Sequence, residues 1–215
     1  LLHFTYFDLY RKQVVKQADL VLAMHLRGDA FTPEQKARNF AYYEPLTVRD
    51  SSLSASTQAV IAAEVGQLQL AYDYLGEAAL IDLHDLQHNV QNGVHIASLA
   101  GAWTALVAGF GGMRLHHSSL SFAPRLPEAL VRLAFRLVFR GCRLRVEVTA
   151  TEATYRLLDG EPLKVYHHGE EILLPVDEAI TRPIPPVKAG PRPTQPPGRA
   201  PVPREARTRS TTTPA

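Results

Sequence analysis

The sequence predicts an α+β protein in three parts: a helical block over about residues 1–112, a small antiparallel β domain over 113–177, and a disordered tail over 178–215. Two observations support this division. After Gly109–Gly112 the spacing of apolar residues changes from three or four to two, as expected when helices give way to strands. From Arg182 onward the chain holds ten of its sixteen prolines and too few large apolar residues to bury a core.

Apolar residues at three- and four-residue spacing predict five helices in the first part. Thr32 is followed by Pro33 and Gln35, a pattern typical of a capped helix start. The last of these helices is apolar on nearly every side, which predicts that it is buried among other helices. The predicted helices are Lys12–Leu26, a helix from Pro33 to about Tyr43, Leu53–Val65, Leu68–Leu83 and His95–Phe110.

Alternating apolar and polar residues predict six strands in the second part. In Val131–Arg140 every odd position is apolar, while arginines stand at several even positions. Such a strand has one buried and one solvated face, as in an antiparallel sheet that lies against a core. The predicted strands are Ser119–Phe122, Val131–Arg140, Arg143–Ala150, Ala153–Leu158, Leu163–Tyr166 and Glu171–Leu174.

The charge of the chain is unevenly distributed. From Lys188 onward six Lys and Arg face one Glu, so the tail carries +5 and the remainder about −3 of the net +2. The basic isoelectric point therefore belongs to the tail, and we expect no nucleic-acid partner.

Cysteine and histidine usage excludes two further features. Cys142 is the only cysteine, so no intramolecular disulfide can form, which favours a reducing, cytoplasmic location. His84 and His88 are spaced to share a helical face, but no third ligand stands at a diagnostic distance, so we expect no metal site. No apolar run reaches membrane-spanning length, and we expect no membrane partner.

A polar stretch, Tyr42–Ser54, separates two of the predicted helices. Asp50, Ser51 and Ser52 stand directly before the apolar run that begins at Leu53, where a helix N-cap belongs. Serine hydroxyls and the free N–H groups of a helix start can also bind an anion. The residues alone favour a simple cap, with an anion site as the alternative.

Three other polar residues allow a structural and a functional interpretation. Lys16 and Gln17 fall beside the apolar stripe of a predicted helix, where a lysine usually extends to solvent. His95 follows Gly93 at the start of another predicted helix, where an imidazole usually caps the helix or is satisfied in the core. From spacing alone the structural interpretation is favoured for all three.

Several stretches, in the same order along the chain, resemble glycoside hydrolase family 65, the family of maltose, trehalose and kojibiose phosphorylases. The resemblance covers roughly residues 4–177 and is specific to the family, although not to one member. The stretches are FDLYRKQVVKQADLVLA (7–23), KARNFAYYEPLTVRDSSLS (36–54), AAEVGQLQLAYDYL (62–75), GVHIASLAGAWTALVAGFGGMR (93–114) and LSFAPRLP (120–127).

The resemblance implies a fold and a chemistry. It implies that the helices are the last part of an (α/α)6 barrel and that a C-terminal β-sandwich follows. The family's reaction is inverting: a Glu protonates the glycosidic oxygen while inorganic phosphate attacks the anomeric carbon from the opposite face. By resemblance, Ser51, Ser52 and His95 match the phosphate-binding positions. Lys16 and Gln17 match a Lys-Gln pair that contacts the sugar beside the scissile bond.

One departure concerns the general acid. In the family the acid Glu precedes the Lys-Gln pair, and nothing in residues 1–11 matches its motif. Glu44 and Glu64 lie in family-like stretches but do not match the acid motif either. We therefore expect this chain to contain no catalytic residue and to be inactive alone, as the C-terminal portion of a longer α-glucoside phosphorylase.

Two other functions remain open at this point. A hydrolase of the same family would need a carboxylate base to activate water where phosphate otherwise binds. A non-catalytic remnant, or a carbohydrate-binding β module with leftover helices, would have no activity in any context. For the phosphorylase we expect a disaccharide and inorganic phosphate as substrates, no organic cofactor or metal, and by resemblance a homodimer.

Overall fold

The computed structural model describes residues 4–204 of the chain. Helices occupy the first half and two small sheets the second, in the order that the sequence predicts. The helices are α1 (Tyr6–Leu9), α2 (Asp19–Leu26), α3 (Pro33–Tyr43), α4 (Ser54–Glu64), α5 (Leu68–Leu80) and α6 (Ile96–Thr104), with short 3-10 turns at Gly28–Ala30 and Val90–Asn92 and a π-helical turn, Ala105–Phe110, after α6.

Helix α4 is the central helix of the first half and is buried along most of its length. Helix α5 returns antiparallel beside it after a turn at Gly66. Helix α6 runs parallel to α4, because Gly101 lies against Ser56 and Gly109 lies against Val60 further along both helices. The N-termini of α4 and α6 therefore lie at the same end of the helical layer as the C-terminus of α5.

Two four-stranded sheets form the second half. The first has the order β1-β2-β6-β7 and the second the order β3-β4-β5-β8. The sheets pack face to face through Phe122 and Tyr155, whose ring centroids are 5.2 Å apart, and through a hydrogen bond of 2.8 Å between Tyr155 Oη and His167 Nδ1. The strands are β1 (Arg114–His116), β2 (Ser119–Phe122), β3 (Leu133–Phe139), β4 (Cys142–Val148), β5 (Glu152–Asp159), β6 (Leu163–His167), β7 (Glu170–Leu174) and β8 (Ala179–Pro183).

The sheets confirm one sequence prediction and correct another. Along β3 the odd positions are partly buried and the even positions exposed, as the alternation predicts. The strands are mostly antiparallel, but β2 pairs with β6 in parallel, with Ser121 opposite Tyr166. The connection between these two strands contains the whole β3–β5 meander, so the chain returns to the first sheet in the original direction.

The junction between helices and sheets is charged. Glu64, at the end of α4, accepts hydrogen bonds from Lys36 Nζ and Arg114 Nη2, each at 2.6 Å. Arg125 donates to the backbone carbonyls of Ala63 and Glu64 in the last turn of α4. Glu64, Arg114 and Arg125 line one side of a cavity of about 420 Å³. Their polar atoms hold the two halves of the chain together.

The predicted helix Lys12–Leu26 is wrong in its first half. Helix α2 begins only at Asp19; residues 13 and 14 have no regular secondary structure, and Val15 forms a β-bridge. The Val15 N–H donates to Leu46 O at 3.0 Å, and the Val48 N–H donates to Val15 O at 2.8 Å. A pair of β-branched valines favours an extended backbone, and here a partner segment satisfies its polar groups.

The prediction that the helix over His95–Phe110 is buried on all sides is also wrong for the described residues. Ile96, Leu99 and Trp103 are exposed, with Ile96 at 72%. Ser98, Ala102 and Ala105, which face α4 and α5, are buried. Helix α6 therefore has one packed face and one apolar face that is open in this chain.

The prediction of a disordered tail from residue 178 is wrong for its first residues. Residues 179–183 form β8, which pairs antiparallel with β5, and Thr154 and Thr181 share a hydroxyl hydrogen bond of 2.9 Å. Residues 184–204 have no regular secondary structure, and from Gly190 they lie against the helices. The predicted tail beyond residue 204 falls outside the described residues.

In the described part of the chain, helices long and apolar enough to cross a membrane are absent. Over residues 4–204, no cluster of three or more His, Cys, Asp or Glu side chains is arranged to hold a metal ion.

Candidate functional site

The extended segment around Val15 lies beside the loop that precedes α4. Val15 forms a parallel bridge with Thr47, which places Lys16 and Gln17 alongside the loop over residues 48–52. Lys16 is exposed and lines a cleft of about 850 Å³ together with Arg49, Asp50 and His84. Lys16 is therefore free to reach a ligand in the cleft. The sequence predicted that Lys16 lies on a helix, but it precedes the start of α2.

The loop over residues 48–52, called the serine loop below, has an unusual backbone. Arg49 adopts a left-handed φ of +63°, which is uncommon for a residue with a side chain. Its guanidinium pairs with Glu77 and lies over the Tyr74 ring at 4.7 Å. These contacts with α5 hold Arg49 in place, and the chain then turns into Ser51 and Ser52.

Neither serine is the N-cap of α4. The N-cap is Leu53, and no side chain caps it. Ser51 Oγ accepts the Leu53 N–H at 3.3 Å, and Ser51 O accepts the Ser54 N–H at 3.2 Å. The first-turn N–H groups of α4 thus lack a capping side chain, and an anion at this end could accept their hydrogen bonds.

His95 stands at the start of α6 and is anchored at two points. Its Nδ1 lies 2.6 Å from Asp82 Oδ1, and its backbone N–H donates to Asp82 Oδ2 at 3.0 Å. The hydrogen bond from His95 is the main cause of a lowered pKa for the Asp82 carboxyl, so Asp82 is a carboxylate at neutral pH. A carboxylate on Nδ1 keeps that nitrogen protonated and leaves Nε2 available for a ligand.

The helix directions bring these groups to one end of the helical layer. Ser98 Oγ donates to Ala78 O at 3.1 Å, which fixes the start of α6 beside the last turn of α5. The serine loop precedes α4, whose N-terminus lies at the same end. Two helix N-termini, each with a partial positive charge, therefore point to the side that carries Ser51, Ser52 and His95.

Glu44 and Glu64 are both fully engaged in structural contacts. Glu44 is completely buried and accepts hydrogen bonds from Gln58 at 2.8 Å and from Tyr74. Burial and the Glu44 charge raise the pKa of Tyr74, so its hydroxyl stays a donor. Glu64 is paired with Lys36 and Arg114. Neither carboxyl is placed to protonate a ligand in the cleft.

Sequence reasoning missed Asp82 and the contacts of Arg49. Asp82 follows the end of α5, where a negative charge interacts unfavourably with the helix dipole. An acidic residue at this unfavourable position was the one sequence feature that could have indicated a contact with another segment. The left-handed conformation of Arg49 carries no such signal, because arginine is not a residue that marks left-handed backbone.

Family comparisons cover most of the chain. Residues 1–104 match the model of the glycosyl hydrolase family 65 central catalytic domain, and residues 113–174 match that of the glycosyl hydrolase family 65 C-terminal domain. The structure is similar to a putative kojibiose phosphorylase from human microbiome, with a TM-score of 0.77 and 30% sequence identity over 84% of this chain and 27% of that chain.

Two relatives illustrate the range of similarity. A protein of Mycobacterium tuberculosis described as an uncharacterised glycosyl hydrolase is 56% identical over 96% of this chain and 27% of its own length. The α,α-trehalose phosphorylase of Thermoanaerobacter brockii is 42% identical over 81% of this chain and 22% of its own length. The chain thus spans about a quarter of the length of the relatives it matches.

Proposed function

Because the chain belongs to glycosyl hydrolase family 65, we propose that it is part of an inverting phosphorylase of an α-linked glucose disaccharide. The products would be β-glucose 1-phosphate and glucose. The observation that carries this proposal is that the serine loop and the Asp82-anchored His95 lie at the end of the helical layer that carries the N-termini of α4 and α6. We call the group formed by Ser51, Ser52, His95 and the start of α4 the cradle. The phosphorylase names of relatives support the same reading.

The cradle suits a phosphate dianion chemically. The first turn of α4, which no side chain caps, the hydroxyls of Ser51 and Ser52, and the His95 ring offer polar contacts on one side of the ligand. Asp82 holds the His95 ring in one orientation through Nδ1 and the backbone N–H. Phosphate held here is already anionic, so it needs no general base before it attacks.

The reaction then requires an acid from outside this chain. A phosphate oxygen would form a bond to the anomeric carbon while the glycosidic C–O bond on the opposite face breaks. The departing oxygen takes a proton from a carboxylic acid, and the anomeric configuration inverts. Neither Glu44 nor Glu64 is available for that step, so we place the acid in the part of the protein that precedes this chain.

Exposed apolar surface on the helices supports the proposal that another part of the protein completes the cleft. Exposed apolar side chains lie on α1 and its approach and on the open face of α6. The remaining helices of an (α/α)6 barrel would cover such surface and complete the cleft. The exposed residues are Phe4, Tyr6, Phe7, Tyr10, Ile96, Leu99 and Trp103. We therefore expect the 215-residue chain by itself to release no product. A homodimer and a cytoplasmic location stay predictions.

The carboxylates near the cradle disfavour hydrolysis. An inverting hydrolase needs a carboxylate base that can take a proton from water. Asp82 is bonded to His95, and Asp50 is bonded to Arg199 at 2.8 Å. Both are held by positively charged or protonated partners, which makes them poor bases. This arrangement favours phosphate as the nucleophile.

The proposal predicts strict dependence on orthophosphate. We expect the complete protein, incubated with a panel of α-linked glucose disaccharides, to release glucose 1-phosphate only when orthophosphate is present. Enzymatic assays of glucose and glucose 1-phosphate in the same samples would measure this. Equal release of free glucose with and without phosphate would identify a hydrolase instead, and no product from any disaccharide would favour the non-catalytic remnant.

Lys16 and Gln17 provide a second prediction, on the sugar side of the cleft. Lys16→Ala should lower kcat/KM for the disaccharide by about 10- to 100-fold, because a charge-assisted hydrogen bond to the sugar is lost. Initial rates at saturating phosphate would measure it. Lys12→Ala, which removes an exposed lysine that does not line the cleft, is the matched control. Wild-type kinetics for Lys16→Ala would show that Lys16 is only a surface residue.

A further inference from the structure

We propose that residues 190–204, called the C-terminal strap below, position the serine loop for phosphate. This inference rests on the proposed function, since it takes the role of Ser51 and Ser52 from there. The strap contains no helix or strand and lies along the helices on the side of α5 that faces the serine loop. Its contacts with α5 run from Gln67, the residue before the helix, to Gly76.

Two buried carboxylates of the helical layer receive hydrogen bonds from the strap. Gln195 Nε2 donates to Glu44 Oε1 at 2.6 Å, and the Arg204 backbone N–H donates to Asp73 Oδ1 at 2.8 Å. Arg192 adds an ion pair of 3.4 Å with Asp73. Glu44 is 0% exposed and Asp73 is 1% exposed. A buried carboxylate without partners is costly, so these contacts fix the strap on this surface.

The surface of α5 fits the strap in shape as well as in charge. The Arg204 side chain lies directly over Gly76, where any Cβ would collide with it. Gln67 and Gln69, on the same side of α5, donate to Gly190 O at 2.7 Å and Arg204 O at 2.8 Å. The strap is thus bonded at both ends through its backbone, which is the expected mode for a segment without secondary structure of its own.

The middle of the strap is hydrogen-bonded to the serine loop. Arg199 Nη1 donates to Val48 O and to Asp50 Oδ1, both at 2.8 Å, and Arg49 donates to Arg199 O. These bonds fall on both sides of the left-handed Arg49 backbone. A strained conformation persists only when its surroundings hold it. Arg199 therefore supplies part of the restraint that sets where Ser51 and Ser52 point.

The extent of the family matches is consistent with a device that some members share. The Mycobacterium tuberculosis relative matches 96% of this chain, and the remaining 4% is shorter than the strap. The Thermoanaerobacter brockii phosphorylase matches 81%. The strap thus lies largely inside the first match.

The test compares Arg199→Ala with a control in the complete protein. Loss of the two hydrogen bonds to the serine loop should raise KM for orthophosphate roughly 5- to 20-fold. KM for the disaccharide should rise by a smaller factor, since Arg199 also lines the cleft that contains Lys16. Arg199→Lys, which keeps the charge and can reach one acceptor, should recover part of the loss. Arg182→Ala, which removes an arginine paired with Glu170 on β8, should change neither KM.

A second measurement reports how strongly the serine loop is held in place. Hydrogen exchange at the amides of residues 48–54 in the 215-residue chain should be faster in Arg199→Ala than in the wild type and unchanged in Arg182→Ala. Wild-type exchange and wild-type phosphate KM in Arg199→Ala would overturn the inference. If Ser51→Ala/Ser52→Ala raises the phosphate KM while Arg199→Ala does not, the strap inference fails and the proposed function stands. Turnover without phosphate in the wild type would remove the proposed function, and with it the strap's role in phosphate binding.

Discussion

Replacing His95 with alanine in the complete protein should raise KM for orthophosphate by about 10- to 100-fold, the loss expected for one charge-assisted hydrogen bond. KM for the disaccharide should change by a smaller factor, because His95 is proposed to contact phosphate, whereas Lys16 and Gln17 are proposed to contact the sugar. The physical reason is the pairing of Nδ1 with Asp82 at 2.6 Å, which leaves Nε2 as the ring nitrogen available to phosphate. Initial rates over a range of phosphate concentrations at saturating disaccharide measure both constants.

Two variants sharpen this prediction. Asp82→Asn keeps an acceptor beside Nδ1 but removes the negative charge, so we expect a smaller rise in the phosphate KM than in His95→Ala. His88→Asn is the control, since His88 is exposed and its left-handed φ of +53° suits asparagine. An equal rise in both KM values for His95→Ala would count against a phosphate role and would favour a purely structural role for His95 at the start of α6.

The second large effect is expected on stability, at Glu64. Glu64→Gln should lower the free energy of unfolding by about 3–5 kcal/mol, because Lys36 and Arg114 would remain largely buried without their counter-ion. For a chain of this size that corresponds to a fall in Tm of roughly 6–20 °C. Thermal unfolding followed by circular dichroism would measure it. Glu171→Gln, at an exposed ion pair with Lys164, should change stability by less than about 1 kcal/mol.

The same residue predicts how stability depends on pH. Burial alone would raise the pKa of Glu64, but the charges of Arg114 and Lys36 outweigh it and leave the pKa below its ordinary value of 4.5. A carboxyl with a lowered pKa in the folded state stabilises the fold above its unfolded pKa, and that contribution is lost as the pH falls through the folded pKa. The stability gap between wild type and Glu64→Gln should therefore be full at pH 7 and shrink below about pH 4.5. A gap of constant size would contradict the charge explanation.

Local patterns predicted the regular parts of the fold well. The capping box at Thr32 has both of its expected hydrogen bonds, and the alternation in β3 gives the buried and exposed faces that it predicts. The failures came where distant residues decide the conformation. Val15 is extended because Thr47 and its neighbours offer backbone partners, and β8 forms because β5 has a free edge beside it. Neither partner can be identified from spacing within one segment.

The candidate site also depends on partners that spacing within one segment cannot identify. Spacing alone favoured a cap for Ser51 and Ser52 and a structural role for Lys16 and His95, and only the resemblance suggested ligand contacts. The structure shows that the cap position belongs to Leu53 and that Lys16 lines a cleft. Asp82 and Arg199 could not be found from the sequence, because each meets its partner through the packing of separate segments.

The most direct test of the central claim is a phosphorus and proton NMR time course of the complete protein with its disaccharide and orthophosphate. We predict that orthophosphate declines as β-glucose 1-phosphate appears, with one glucose formed for each phosphate consumed. Free glucose formed while the orthophosphate signal stays constant would contradict phosphorolysis. Glucose 1-phosphate that first appears as the α anomer would contradict attack from the face opposite the leaving sugar.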